Sequence, residues 1–170
     1  MVFDVVPPDV DEDPRGENDP VRLAGTLARR KAAAVLGATS GHSHVLAADT
    51  VVWARGEILG KPVDDDDARR MLRLLSGTAQ RVVTGFSAAR TSDGKTLSGT
   101  VTTIVVMRVL TEEDIDGYVA TREHEGKAGA YAIQESADRF VTALEGPFDN
   151  VVGLPVRHAL AALTALGYTP

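Results

Sequence analysis

The sequence contains no cysteine. Disulfide bonds, thiolate metal sites and cysteine nucleophiles are therefore excluded, and the composition suits a reducing compartment. No apolar run approaches the roughly 20 residues that span a bilayer. The first residues also lack the apolar stretch of a secretory signal, because they soon become acidic and rich in proline. We therefore expect a cytoplasmic protein with no membrane partner.

Positive charge is also scarce. The chain has 18 Lys and Arg residues against 24 Asp and Glu residues, which gives a formal net charge of −6. Binding to a nucleic-acid backbone usually needs clustered basic residues, so we expect no nucleic-acid partner. The motifs GxGxxG, GxxxxGK[ST], GxSxG and HExxH are absent, which removes the commonest nucleotide-binding and hydrolase signatures. A small anionic substrate stays compatible with this charge if positive groups converge locally.

Strands and helices are predicted to alternate without an internal repeat, which favours an α/β fold with a mixed sheet flanked by helices. The length of 170 residues suits one domain, or one domain with a small lobe. Apolar and β-branched runs predict strands at 3–6, 44–52, 80–90, 96–109, 126–134 and 139–144. Apolar periodicity predicts helices at 20–37, 64–76, 111–119 and 157–166.

Local signals support several of these boundaries. Asp19 can cap a helix that has Pro20 at its first position, and residues 111–114 form a capping box. The pair Asp93-Gly94 is a strong tight-turn signal, so strands 80–90 and 96–109 are expected to form an antiparallel hairpin.

Asp49 and Lys61 are the first candidates for chemistry. Asp49 ends an otherwise apolar run that is typical of a strand covered on both faces, and ligands of α/β sheets bind at strand ends. Lys61 lies between Gly60 and Pro62, where a close backbone approach would let its ammonium hold a phosphate. The alternatives are an aspartate that caps a turn and a lysine that is simply solvated.

Other polar residues are less specific. Glu12 could join Asp49 around Mg²⁺, which commonly takes one or two carboxylates plus substrate phosphates and water. Residues 42–44, His-Ser-His, are interpreted as a loop with surface imidazoles rather than a metal site. The four aspartates at 64–67 are interpreted as helix-capping residues rather than a cation site, and Trp53 as core packing rather than a base-stacking platform.

Seven separated motifs occur in an order that resembles the Maf family of nucleoside triphosphate pyrophosphatases. They are FDVVPPDVDE, ADTVV, GEILGKP, a helix ending in LLSG, VVTGF, GKAGAYAIQ and DNVVGLP. Together they extend over nearly the whole chain, so their combination is far more specific than any single motif. The resemblance implies a fold similar to the inosine triphosphate pyrophosphatases, with two lobes around a cleft. It also implies hydrolysis of a nucleoside triphosphate to the monophosphate and pyrophosphate.

The resemblance also implies roles for individual residues. Asp49 matches the essential acidic residue, as general base or metal ligand, and Glu12 matches a second acidic position for the metal. Lys31 and Lys61 match lysines near the phosphates. Gln134 matches the glutamine of the branch that prefers dTTP and UTP, where its amide can help read a pyrimidine. The family further implies a divalent metal cation, Mg²⁺ or Mn²⁺, and a homodimer.

The sequence departs from the family pattern in two ways. Maf proteins ordinarily begin with a strand and an S-x-S-P-R-R loop, and this chain starts after the position of that loop. We therefore expect residues 1–170 to form a single Maf-like domain that is incomplete at its N-terminal end, with impaired activity. Gly126, Ala132 and Glu135 also replace residues common in the family, which weakens the assignment of a pyrimidine preference.

Three hypotheses about function follow. The first is a metal-dependent house-cleaning enzyme that hydrolyses dTTP, UTP or modified pyrimidine nucleotides. The alternative from another class is a non-catalytic nucleotide-binding regulator of septum formation and cell division. A third keeps the same chemistry with a modified purine substrate.

Overall fold

The computed structural model describes residues 3–13, 16–39, 41 and 43–169. Five strands form a sheet in the order β2-β1-β3-β4-β5. The strands are β1 (His44–Ala54), β2 (Glu57–Leu59), β3 (Ala79–Arg90), β4 (Thr96–Met107) and β5 (Val141–Glu145). The helices are α1 (Pro20–Ala38), α2 (Asp65–Leu75), α3 (Glu112–Ala120), α4 (Phe148–Val152) and α5 (Val156–Ala165), with short 3₁₀ turns at Ala128–Ala130 and Ser136–Phe140.

The predicted α/β class, a sheet flanked by helices, is confirmed. β1 pairs with β2, and β4 pairs with β5, both in antiparallel register. β3 and β4 are neighbours joined by the predicted tight turn, which the amide of Arg90 closes by donating to the Lys95 carbonyl at 2.9 Å. Short connections of this kind join antiparallel strands, whereas parallel strands need long crossovers.

The chain divides into two compact units. The first contains Met1–Asp49, Thr84–Val101 and Gly153–Pro170, and the second contains Thr50–Val83 and Thr102–Val152. Strands β1, β3 and β4 each contribute residues to both units. The cleft expected from the family resemblance stays a prediction, as does the assignment of residues 1–170 to a single domain.

The second unit contains the larger hydrophobic core. One face of α2 buries Ala68, Met71, Leu72 and Leu75 in it, as the apolar periodicity predicts. The ring of Tyr118 on α3 meets the ring of Phe140 edge to face, with 5.5 Å between the centroids. Burial of such side chains stabilises the unit by roughly 1.5 to 3 kcal/mol for each large residue.

The first unit is held by smaller contacts between α1, α5 and the strands. Ala32 on α1 packs with Val45 and Ala89, and Leu163 on α5 packs with Ala88. At Gly85 on β3 the helix α1 approaches so closely that a Cβ atom would lie 2.2 Å from the carbonyl oxygen of Ala24. Glycine at position 85 therefore allows the short distance between α1 and β3.

Predicted helix signals are confirmed by the structure. The carboxylate of Asp19 accepts from the amide of Val21 at 2.9 Å, with Pro20 as the first helical residue. The capping box of α3 is complete, since Thr111 and Asp114 each accept from the other's backbone amide. Helix α1 extends to Ala38, one residue beyond the predicted end at Gly37.

Two predicted strands are wrong. Residues 3–6 form no strand, because no strand among residues 3–13, 16–39, 41 and 43–169 pairs with them. Phe3 is 72% exposed. Residues 126–134 form a 3₁₀ turn and irregular structure instead of a strand. The cause is local, since Gly126, Gly129 and Ala130 all have positive φ, which interrupts extended backbone.

Strand β1, including Trp53, is more exposed to solvent than predicted. Leu46 is 37% exposed, so the first half of β1 is not buried on both faces. Trp53 is half-buried, and the guanidinium of Arg81 stacks over its ring at 4.1 Å from the centroid. No helix in the described part of the chain is long and apolar enough to cross a membrane.

Candidate active site

Three of the five predicted site residues meet in the first unit. Helix α1 presents Lys31, strand β1 presents Asp49, and the irregular segment of residues 3–13 presents Glu12. The ammonium of Lys31 lies 2.7 Å from Oε1 of Glu12 and also donates to Oδ1 of Asp49. Two carboxylates therefore share one ammonium, although 37 positions separate Glu12 from Asp49 in the sequence.

Burial differs among these three residues. The side chains of Lys31 and Asp49 are 13% and 9% exposed, whereas that of Glu12 is 41% exposed. A carboxylate as buried as Asp49 is costly unless it is paired, so the ion pair with Lys31 compensates for its burial. Glu12 reaches the same ammonium from the solvent side.

The pKa of Lys31 reflects this environment. Burial lowers the pKa, but hydrogen bonds and charge interactions with Asp49 and Glu12 outweigh burial, and the net pKa is raised above the ordinary lysine value. Because the charged form of lysine is favoured, the Lys31 side of these ion pairs stays charged at neutral pH and loses its charge as the pH rises through the raised pKa. At neutral pH the site therefore holds a positive charge between its two carboxylates.

The position of Lys31 depends on how α1 is anchored. The close approach at Gly85 sets the distance between the helix and β3, and Ala32, next to Lys31, is buried against Val45 and Ala89. The guanidinium of Arg30 donates to the carbonyl of Asp11 at 3.4 Å, which ties the segment carrying Glu12 to the same helix. Backbone contacts and packing thus hold all three side chains.

Lys61 and Gln134 both lie in the second unit. The turn that contains Lys61 is connected to the 126–134 segment, because the amide of Gly129 donates to the carbonyl of Gly60 at 2.9 Å. Both Lys61 and Gln134 are exposed side chains on irregular backbone. The structure thus brings the Gly60-Lys61 turn against the segment that ends in Gln134.

Two buried tyrosines hold that segment. The hydroxyl of Tyr118 accepts from the amide of Ala132 at 3.0 Å, and the hydroxyl of Tyr131 accepts from the side-chain amide of Gln80 at 3.2 Å. Burial raises the pKa of each tyrosine to about 12. The apolar periodicity of α3 predicts Tyr118 in the core, but it does not predict the role of either hydroxyl. Tyr131, in the run before Gln134, is a weak signal for it.

The histidines and the aspartate run have structural roles where they are described. His124 is 2% exposed and lies 3.2 Å from the carboxylate of Asp65 through Nε2, and His44 starts β1. His42 lies outside the described residues. Asp64 caps α2, as predicted. Among residues 3–13, 16–39, 41 and 43–169, no group of three or more His, Asp or Glu residues is arranged to hold a metal ion.

Comparisons with known proteins agree with the sequence motifs. A family model described as Maf-like protein matches residues 1–166. The chain is 44% identical to a dTTP/UTP pyrophosphatase of Geobacter sulfurreducens, over 97% of this chain and 86% of the relative. It is 45% identical to a dTTP/UTP pyrophosphatase of Anaeromyxobacter dehalogenans, over 99% of this chain and 85% of the relative. A third dTTP/UTP pyrophosphatase, from Pelotomaculum thermopropionicum, is 42% identical over 99% of this chain and 87% of its own length.

Proposed function

Because this chain belongs to the Maf family, we propose that it is a nucleoside triphosphate pyrophosphatase that acts on dTTP, UTP or related modified pyrimidine nucleotides. The products would be the nucleoside monophosphate and pyrophosphate. The single observation that carries the proposal is the pairing of Glu12 and Asp49 with one ammonium, that of Lys31. Such a cluster combines the carboxylates and the positive charge that phosphate chemistry needs.

The proposed reaction is attack by water on phosphorus at the α-β phosphoanhydride. The bond from phosphorus to the bridging oxygen breaks, pyrophosphate leaves, and the proton of the attacking water passes to Asp49 or to solvent. Asp49 would orient the water as general base, or serve as a metal ligand. Lys31 and Lys61 would bind phosphate oxygens, where negative charge develops in the transition state.

A divalent cation, Mg²⁺ or Mn²⁺, fits the donor chemistry of the first unit. Glu12 and Asp49 supply hard oxygen atoms, and both already contact a single positive group, so one cation could take both as ligands. Mg²⁺ is usually bound by one or two carboxylates, with substrate phosphates and water as its other ligands. Two protein carboxylates are therefore sufficient for such a site. The cation would neutralise charge on the phosphates.

Gln134 is the residue that we propose reads the base. Its exposed amide offers both a donor and an acceptor, which suits the edge of a pyrimidine. The neighbouring Tyr118 and Tyr131 hydrogen bonds fix the backbone that leads to it. We further propose a homodimer that acts in the cytoplasm on free nucleotides, rather than on nucleic acid or at a membrane.

Pyrophosphate release tests this function. The full chain is incubated with dTTP, UTP, other common nucleoside triphosphates and modified pyrimidine and purine nucleotides, each with Mg²⁺ or Mn²⁺. Release of pyrophosphate with dTTP or UTP as the preferred substrate supports the proposal, whereas a preference for a modified purine corrects the substrate class. A nucleotide-dependent rise in melting temperature without any pyrophosphate would contradict the enzyme and favour the non-catalytic regulator of septum formation.

A further inference from the structure

The shared ammonium of Lys31 occupies the position of a counter-ion for two carboxylates. Its nitrogen lies 2.7 Å from Oε1 of Glu12 and also contacts Oδ1 of Asp49. Both contacts use carboxylate lone pairs that a bound metal ion would also use. The contact with Asp49 is protected from solvent, since only 13% of the Lys31 side chain and 9% of the Asp49 side chain are exposed, whereas Glu12 is 41% exposed.

Charge decides how this cluster responds to a metal. The three groups together carry a charge of −1, and removal of the ammonium makes their summed charge −2. A divalent cation that approaches the pair meets attraction from the carboxylates and repulsion from the ammonium at close range, where screening by solvent is weak. Lys31 must therefore weaken the binding of a cation to the carboxylates that it contacts.

We propose that Lys31 and the divalent cation are alternative counter-ions of Glu12 and Asp49, so that Lys31 suppresses metal binding in the nucleotide-free protein. The inference rests on the proposed function only in taking these two carboxylates as the metal ligands. A triphosphate that draws the ammonium to its own oxygens would release both carboxylates to the cation. Lys31 then has a second role besides binding phosphate.

Mn²⁺ binding to the full chain without nucleotide tests this proposal. The loss of the free Mn²⁺ signal in electron paramagnetic resonance gives the affinity directly, with no dependence on turnover. Lys31→Met is expected to bind Mn²⁺ at least about tenfold more tightly than the unmodified chain, since it removes the competing charge. Lys31→Arg keeps that charge and is expected to bind as weakly as the unmodified chain.

Arg29→Met is the matched control for a general change in charge. Arg29 lies on the same helix and donates to Thr26 at 3.0 Å, and its substitution removes the same unit of charge. Its Mn²⁺ affinity is expected to stay within about threefold of the unmodified chain. Adding Glu12→Gln to Lys31→Met is expected to cancel most of the gain, because one of the two ligands is lost.

If Lys31→Met folds poorly, the melting temperature with and without Mn²⁺ still tests the proposal. Removing the ammonium leaves Asp49 buried without this partner, so the melting temperature is expected to fall, and Mn²⁺ is expected to raise it more than in the unmodified chain. Equal Mn²⁺ affinity for Lys31→Met and the unmodified chain would overturn the proposal, as would an equal gain in Arg29→Met. A gain in Mn²⁺ affinity in Lys31→Met, together with no pyrophosphate release by the unmodified chain, would support this inference while contradicting the proposed function.

Discussion

The amide of Gly129 donates a hydrogen bond to the carbonyl of Gly60, with 2.9 Å between the two atoms. This contact joins the turn that contains Lys61 to the segment that ends in Gln134. Gly129 has φ of 73°, and a Cβ atom there would lie 2.9 Å from Cγ2 of Val52. Both the backbone conformation and the available space therefore require glycine at this position.

Gly129→Ala is expected to destabilise the protein by about 2 to 4 kcal/mol, because left-handed strain and the contact with Val52 add together. Urea denaturation measures the change. Gly126→Ala is the matched control, since Gly126 has a similar φ of 68° but nothing within 4 Å of its Cβ position. It is expected to cost only about 1 kcal/mol. Equal losses in the two variants would show that the Val52 contact contributes nothing.

Gly85→Ala is expected to be more damaging. Its Cβ atom would lie 2.2 Å from the carbonyl oxygen of Ala24, and a helix backbone cannot yield as a flexible side chain can. We expect a loss of more than about 3 kcal/mol, or failure to fold, because α1 must move away from β3. Thermal melting and soluble yield measure the effect.

Gly117→Ala on α3 serves as the comparison for Gly85→Ala. Position 117 is exposed, has nothing within 4 Å of its Cβ position and lies inside a helix. Alanine there is expected to stabilise the protein by about 0.5 to 1 kcal/mol. A Gly85→Ala protein as stable as the unmodified chain would disprove the close approach between α1 and β3.

The two buried tyrosines are expected to make the protein sensitive to alkali. Burial raises the pKa of Tyr118 and Tyr131 to about 12, above the ordinary value of about 10. Because the pKa is higher in the folded state than in the unfolded state, the full stability of the protein is present below about pH 10. Part of this stability is lost as the pH rises toward 12 and the tyrosines ionise in the unfolded state. Absorbance of tyrosinate, followed together with far-ultraviolet circular dichroism, should show two of the three tyrosines ionising only as the fold is lost.

Tyr118→Phe separates the hydrogen bond from the packing in this alkaline transition. The ring contact with Phe140 remains, but the buried amide of Ala132 loses its acceptor, which costs about 1 to 3 kcal/mol. One late-ionising tyrosine is expected to disappear from the titration. Normal ionisation of both tyrosines near pH 10 in the folded protein would contradict their burial.

Much of the fold could be predicted from the sequence because its signals are local. The capping residue Asp19, the capping box at Thr111 and the tight turn at Asp93-Gly94 each depend on neighbours a few positions away. The strand predicted at 126–134 was wrong because Gly126, Gly129 and Ala130 have positive φ. The apolar run in the sequence shows neither these backbone angles nor the hydrogen bond from Gly129 to the distant Gly60. Residues 3–6 were predicted as a strand from composition, which does not show whether a pairing partner exists.

The candidate site was predictable only in part. Motif order identified Glu12, Lys31 and Asp49, but nothing in their spacing shows that one ammonium contacts both carboxylates, since α1 and β1 must first pack. The support of the Gln134 segment by Tyr118 was equally hidden, because a tyrosine on an apolar helix face looks like ordinary core. Long-range hydrogen bonds of this kind leave no periodic pattern in a sequence.

Lys61→Ala tests the proposed phosphate contact in the second unit. Loss of one charge-assisted hydrogen bond, worth about 1.5 to 3 kcal/mol, is expected to lower kcat/KM for dTTP about 10- to 100-fold. Because Lys61 is exposed, the melting temperature should change little. Lys95→Ala in the β3–β4 turn removes an equally exposed charge and is expected to leave kcat/KM unchanged. Unaltered kinetics for Lys61→Ala would remove Lys61 from the site.

Asp49→Asn tests the central carboxylate while keeping its shape. The amide cannot accept a proton from water, and it binds a cation far more weakly, so kcat/KM is expected to fall at least about 100-fold. Asp116→Asn is the matched control, because Asp116 is an exposed partner of Arg69 at 2.8 Å and should leave turnover unchanged. The Asn side chain can still accept from Lys31, so both variants should remain folded by circular dichroism. Full pyrophosphate release by Asp49→Asn would show that the reaction needs no charge at this position, and the proposed mechanism would then be wrong.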